Sequence, residues 1–242
     1  MNDAESAGAV LRVDLGALAA NYRTIAAQVA PAAVGGVVKA DAYGLGAAEV
    51  ARTLEGQGCR DFFVAHLSEA QALRPLLDRK ARFFVLNGLL PGAEAACAAA
   101  DVIPVLNSLD QLGRWSAQAD LLGRRLPAAL QVDTGMARLG LSPEEVDRLV
   151  AEPQRLRHVD LELVMSHLAC ADVPGDPANA AQTAEFERLS AYFPGIPRAL
   201  DNSGGTLLDR PGHFDLVRPG IALYGGAPQT GRPNPMRPVV SL

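Results

Sequence analysis

The feature that most constrains this chain is a regular alternation of two hydrophobic periods. Short apolar runs of strand type occupy residues 35–39, 61–65, 82–86, 102–106, 128–132, 161–165, 198–200 and 214–217. Between them, apolar residues recur at helical spacing over 47–56, 68–77, 92–99, 108–119, 142–150 and 180–192, with 203–209 as a short further helical piece. An opening helix is expected over 14–30. Asp14 stands at its N-cap, Leu15, Leu18, Tyr22, Ile25 and Val29 follow at helical spacing, and Pro31 stops it. Strands that alternate with helices imply parallel βαβ units. An open doubly wound sheet would carry Gly-x-Gly-x-x-Gly after its first strand, and that pattern is absent. Eight units in 242 residues therefore predict an α/β fold, a (β/α)8 TIM-type barrel.

Composition narrows the function. The chain is 49% apolar and 20% charged with a formal net charge of -5. That balance supports a large core and argues against binding to nucleic acid or to an anionic membrane. No apolar run approaches the roughly 20 residues of a membrane span, and the N-terminus reads as lacking a secretory signal. Cys59, Cys97 and Cys170 are far apart with no CxxC spacing, which fits a reducing, cytoplasmic setting. No His, Asp and Glu set has metal-ligand spacing, so no metal is expected.

In a barrel of this kind, reactive groups sit in the loops after the C-terminal ends of the strands. Those loops carry Lys39 and Tyr43, then His66 and Ser68, then Asn87, then Asp133, Thr134 and Arg138, then His167, then Asp201, Asn202, Ser203, Gly204 and Gly205, and last Arg218, Pro219 and Gly220. Only two lysines occur, Lys39 and Lys80. Lys80 lies in the polar run Asp78-Arg79-Lys80 and reads as a solvated charge. Lys39 ends an apolar strand, where an unpaired ammonium is costly, so a partner or a covalent use is expected, such as capture of a carbonyl. Ser203-Gly204-Gly205 offers a hydroxyl, small residues and free N–H groups, and Gly220 and Ile221 can add backbone N–H groups from the other side. An amine across from an anion cradle suits a phosphorylated carbonyl compound. Pyridoxal phosphate and a sugar phosphate handled by an aldolase both satisfy that description.

A longer run separates the two. Val38-Lys39-Ala40-Asp41-Ala42-Tyr43-Gly44-Leu45-Gly46 resembles the cofactor-attachment motif of the bacterial alanine racemases. Asp133 to Gly140, Ser166 to Ala169, Asn202 to Gly204 and Arg218 to Gly225 match that family in order. The resemblance implies a pyridoxal 5'-phosphate enzyme that interconverts L- and D-alanine for peptidoglycan precursors. It implies Lys39 as Schiff-base lysine and as acid or base on one face of Cα. Tyr43 and Ser203, with the backbone of Gly220 and Ile221, contact the phosphate, beside Asn202. Arg138 reaches the substrate carboxylate. His167 packs by the cofactor ring and orients Arg218, which faces the ring nitrogen. His66, His158 and His213 are assigned no site role.

Two departures from the family follow. Gln131 stands seven residues before Arg138 where many relatives have a lysine that can be carbamylated, which implies weaker restraint on Arg138. The resemblance also implies a C-terminal β-domain, a head-to-tail homodimer and a second catalytic group from the partner. Residues 1–228 are read as the cofactor-binding barrel and 229–242 as a linker with the first strand of a truncated β-domain, a strand without a partner. The expected state is cofactor binding with only one of two bases. The alternatives are a single-domain pyridoxal-phosphate homeostasis protein of the same fold, or a racemase of another amino acid such as serine.

Overall fold

The computed structural model describes residues 8–242. Strand β1 (Arg12–Val13) leads into helix α1 (Leu15–Val29), capped as expected by Asp14, whose Oδ1 accepts the Ala17 N–H at 2.8 Å. The first barrel strand is interrupted at Gly35 into β2 (Ala33–Val34) and β3 (Gly36–Val37). A helical turn α2 (Lys39–Gly44), α3 (Ala47–Gly56) and β4 (Asp61–Val64) follow. Next come α4 (Leu67–Leu73), β5 (Arg82–Val85), α5 (Glu94–Ala99), β6 (Ile103–Leu106) and α6 (Leu109–Leu121). The remainder is β7 (Leu126–Gln131), α7 (Pro143–Ala151), β8 (Val159–Met165), α8 (Pro177–Ser190), β9 (Arg198–Ala199), β10 (Leu216–Val217) and β11 (Val240–Ser241).

Strands β3 to β9 pair in sequence order, each parallel to the next, and β10 pairs parallel with β2. The seam between β9 and β10 is bridged by Asp215 N–H to the Arg198 carbonyl at 3.0 Å and by Arg218 N–H to the Asp201 carbonyl at 2.8 Å. The sheet is thus closed on itself, and the expected (β/α)8 barrel is the architecture found.

Two apolar cores follow from the pleat, because alternate strand residues face opposite sides. Val37, Phe63, Phe84, Val105, Ala129, Met165 and Leu216 fill the barrel interior, with the Phe63 and Phe84 rings stacked at 4.8 Å between centroids. Phe62, Phe83, Leu106, Leu130 and Val164 face outward against the buried faces of the helices. Filling the interior with side chains leaves only the C-terminal mouth open for chemistry.

Two expectations are corrected. The terminal strand has a partner: Val240 pairs antiparallel with Val13, and Ser241 with Arg12. The first barrel strand also ends at Val37, before Lys39. Lys39 opens α2, in which Ala40, Asp41, Ala42 and Tyr43 all take left-handed dihedrals, with φ from 52° to 59°. None of these four is glycine. Left-handed helix costs about 1–2 kcal/mol per non-glycine residue, so the surroundings must hold this turn in place.

Candidate active site

The mouth of the barrel holds a cavity of about 240 Å3 lined by Lys39, Tyr43, His167, Asn202, Ser203, Arg218, Gly220 and Ile221, together with Val37, Leu86, Asp172, Gly204 and Pro228. Eight residues chosen from sequence for the cofactor thus line one cavity. Arg138, the expected substrate residue, is exposed at the rim on the loop after β7 and does not line the cavity. Its charge still reaches inward, lowering the pKa of both Lys39 and His167.

Lys39 is partly exposed on the turn α2. Burial and the Arg138 guanidinium lower its pKa, while Glu69 opposes them. A depressed amine is a better nucleophile near neutral pH. The turn is braced from several sides. Leu45 N–H and Gly46 N–H reach the Asp41 carbonyl, each at 3.0 Å, and Asp41 Oδ1 accepts the Ala47 N–H at 2.7 Å. The Tyr43 ring packs on Tyr224 at 4.9 Å, and Tyr224 donates its hydroxyl to the Val37 carbonyl at 2.9 Å.

The anion cradle has an internal order that the sequence did not show. Ser203 Oγ accepts the N–H groups of Gly220, at 2.9 Å, and Ala222, at 3.2 Å. The Gly220 N–H is therefore engaged, a change from its expected role as a free donor. With both lone pairs used, the Ser203 hydroxyl keeps its own hydrogen for an acceptor in the cavity. The Gly204 and Ile221 N–H groups donate to no other group among the described residues. Crowding selects glycine twice. A Cβ on Gly204 would lie 2.6 Å from the backbone of Ala171, and one on Gly220 would overlap the Tyr43 hydroxyl.

Arg218 is 4% exposed, and burial lowers its pKa to about 10, opposed by Asp201. It remains charged at neutral pH. Its Nη2 donates to the Ser166 carbonyl and, at 3.4 Å, to the Leu200 carbonyl, while Nη1 is buried with no partner. The carbonyls of Ser166 and Leu200 thus hold Arg218 in place. The His167 ring lies beside Asn202. The Asn202 Nδ2 donates to the Leu168 carbonyl at 3.0 Å and approaches His167 Nε2 at 3.3 Å, while its Oδ1 accepts the Gly205 N–H at 3.0 Å. This amide orientation makes His167 Nε2 an acceptor, so the ring is neutral. Burial, then Arg218, Arg138 and Lys39, lower the His167 pKa to about 3.

Gln131 makes no ion-dipole hydrogen bond to a charged side chain among the described residues. Its amide donates to the Leu139 carbonyl at 3.2 Å and so restrains the backbone of the Arg138 loop. His66 is exposed, and its ring approaches Asn87 at 3.4 Å. His158 pairs with Asp120 at 3.2 Å, and His213 donates to or accepts from the buried Asp201 at 2.7 Å. Sequence reasoning missed two residues that shape the mouth. Buried Gln182 on α8 accepts the Ala169 N–H at 2.8 Å and donates to the His167 carbonyl at 3.0 Å and to Thr134 Oγ1 at 3.2 Å. Glu69 on α4 is the other. Its position three residues after His66, the residue that precedes the helix, was a capping signal.

A parallel barrel whose mouth gathers one amine, an anion cradle and a buried guanidinium with its Nη1 unengaged among the described residues is a binding barrel for a compound that carries both a carbonyl and an anionic group. Comparison with known proteins makes this specific. The family described as alanine racemase, N-terminal domain, matches residues 13–228. The catabolic alanine racemase of Agrobacterium fabrum is 56% identical over 232 residues, which is 96% of this chain and 60% of that protein. The alanine racemase of Brucella ovis is 55% identical over 224 residues, 93% of this chain and 57% of that protein. A crystal structure of alanine racemase from Bartonella henselae with covalently bound pyridoxal phosphate superposes with a TM-score of 0.91 at 40% identity, covering 96% of this chain and 67% of that one. The chain belongs to the alanine racemase N-terminal domain family. It spans about 60% of the length of these curated relatives.

Proposed function

We propose that this chain is the cofactor-binding barrel of a pyridoxal-5'-phosphate-dependent alanine racemase. The observation that carries the reading is that Lys39 lines the same cavity as Ser203, Gly204 and Arg218, in a chain 56% identical to a named racemase. The residues present fit the cofactor. Among the described residues Arg218 Nη1 lacks a partner, the Ser203 hydroxyl has a hydrogen to give, and the Gly204 and Ile221 N–H groups are free to donate.

When bound, pyridoxal phosphate supplies a conjugated ring that stabilises negative charge at the amino-acid Cα. Lys39, with its lowered pKa, would be the amine that holds the aldehyde with loss of water and, once the substrate amine has displaced it, would carry a proton to or from one face of Cα. The Ser203 hydroxyl, the Gly204 and Ile221 N–H groups and the Tyr43 hydroxyl would hold the phosphate. Arg218 presents a cation that keeps its proton at neutral pH, so it offers no proton to the ring nitrogen. Neutral His167, in the cavity lining, would pack by the ring without adding charge. Arg138 at the rim is positioned for the substrate carboxylate.

A racemase needs acid–base groups on both faces of Cα. Lys39 serves one, and the other is assigned to a group outside these residues, from a partner copy in a homodimer. In that scheme residues 1–228 form the barrel unit and 229–242 the linker segment. Alanine is the substrate that the relatives' names support best, ahead of serine. Agrobacterium fabrum's relative is named catabolic, so a role in alanine breakdown stands beside one in peptidoglycan supply. No described helix is long and apolar enough to cross a membrane, and a cytoplasmic location is part of the same proposal.

Two measurements test the reading. Incubation with pyridoxal phosphate followed by borohydride should fix the cofactor to the peptide that carries Lys39 and leave the Lys80 peptide unlabelled. Interconversion of D- and L-alanine should be weak in residues 1–242 and full in a protein of the relatives' length. Cofactor on Lys80 alone, or full activity from residues 1–242, would overturn the assignment.

A further inference from the structure

Glu69 has no place in the proposed chemistry, yet its carboxylate is the most heavily used acceptor near Lys39. Oε1 accepts the Ala40 N–H at 2.8 Å. Oε2 accepts the Ala65 N–H at 2.6 Å and the His66 N–H at 3.2 Å. One side chain thus joins the start of α4, the end of β4 and the first peptide of the left-handed turn. The Ala40 peptide is the one that follows Lys39. No ion pair links Glu69 to Lys39 among the described residues, so the carboxylate acts on the amine without contact, through the backbone it holds and the charge it carries.

We propose that Glu69 is the positioning residue for Lys39: its carboxylate anchors the strained turn at Ala40 and places a fixed anion behind the amine. Two arguments support this. Four consecutive non-glycine residues in left-handed conformation need an external restraint at the point where the turn begins, and Ala40 is its first left-handed residue. The Arg138 cation, from the loop after β7, lowers the Lys39 pKa and needs an opponent. Arg218, from the loop after β10, is a second cation in the lining of the same cavity. His167 is neutral, Tyr43 is an uncharged phenol, and Asp41 directs its carboxylate to the Ala47 N–H. Glu69 is the carboxylate among them whose charge favours the ammonium.

The inference rests on reading Lys39 as the carbonyl-capturing amine, but its test needs no cofactor. Because Lys39 and Lys80 are the only lysines, competitive acetylation with acetic anhydride over a pH series, read by mass spectrometry, compares Lys39 with a built-in surface reference. In Glu69→Gln the Lys39 midpoint should fall by roughly half to one pH unit relative to the unmutated chain, the size expected for one charge beyond contact distance, while Lys80 stays put. Hydrogen exchange at Ala40 and Ala65 should quicken in the same variant. Glu69→Asp, which keeps the charge but withdraws it by one methylene, should shift the midpoint in the same direction by less, and it serves where the amide variant does not fold. A Lys39 midpoint equal to that of the unmutated chain in a folded variant overturns the proposal, even if exchange at Ala40 quickens, because a purely structural staple loosens the turn without moving the amine. A chain whose Lys39 takes up no pyridoxal phosphate would instead defeat the racemase reading and leave the Glu69 result standing.

Discussion

His167 makes the acid stability of this chain predictable. In the folded chain its pKa is lowered to about 3, first by burial and then by the neighbouring Arg218, Arg138 and Lys39. In the unfolded chain histidine titrates near 6.5. The native state therefore binds fewer protons than the unfolded state throughout the window between those values. Stability from this group is complete above about pH 6.5 and falls as the pH drops, by about 1.4 kcal/mol per pH unit, until about pH 3. Between pH 7 and pH 4.5 the loss is about 2 × 1.4, or roughly 3 kcal/mol. His167→Gln keeps an acceptor for the Asn202 amide and removes the titration. Urea unfolding of both chains at pH 7 and pH 4.5, at fixed ionic strength, isolates the effect, because the carboxylates common to both cancel. The variant should lose about 3 kcal/mol less on acidification than the unmutated chain. Equal losses would refute the reasoning and show that His167 gains its proton in place, with Arg218 or Arg138 moving away to allow it.

Other residues give sharper local readings. Ser203→Ala leaves the N–H groups of Gly220 and Ala222 without their shared acceptor and should cost about 1–3 kcal/mol in urea unfolding, with weaker cofactor uptake; unchanged stability would mean that the cradle does not depend on that hydroxyl. Gly204→Ala forces a Cβ against the Ala171 backbone at 2.6 Å. About 1–3 kcal/mol of lost stability is expected there, and a variant as stable as the parent with an unshifted loop in its crystal structure would contradict it. Arg218→Met relieves a buried charge whose pKa burial lowers to about 10, equivalent to about 3 kcal/mol. It also leaves the Ser166 and Leu200 carbonyls unpaired, at about 1–3 kcal/mol. Cofactor-free stability should therefore change little while the spectrum of bound pyridoxal phosphate changes, and a collapse of the fold would show that Arg218 is chiefly structural.

Much of the site was legible in the chain because it is written in local runs. The strand expected over 61–65 appears as β4 (Asp61–Val64) and the helix over 47–56 as α3 (Ala47–Gly56), since hydrophobic period is set by neighbours in sequence. Lys39 was conspicuous as one of two lysines. The handedness of the turn after it was not, because Ala-Asp-Ala-Tyr has no local preference for positive φ. The partners of Arg218 were not legible either, since backbone carbonyls carry no residue signature. The β1–β11 pairing escaped for a different reason. Two short strands at opposite ends of the chain show no joint pattern.

The sequence by itself determined the alternation that makes a parallel barrel, the lysine at its mouth and the small residues of the cradle, because each of these is a property of residues a few positions apart. Tertiary structure decided which groups meet there. It set Ser203 Oγ under the Gly220 and Ala222 N–H groups, bound Arg218 to the carbonyls of Ser166 and Leu200, and placed Glu69 behind the Lys39 turn. These contacts fix the protonation of the site. Closing the sheet brings loops tens to nearly two hundred residues apart within hydrogen-bond distance, and the burial that comes with closure lowers the pKa values of Lys39, His167 and Arg218.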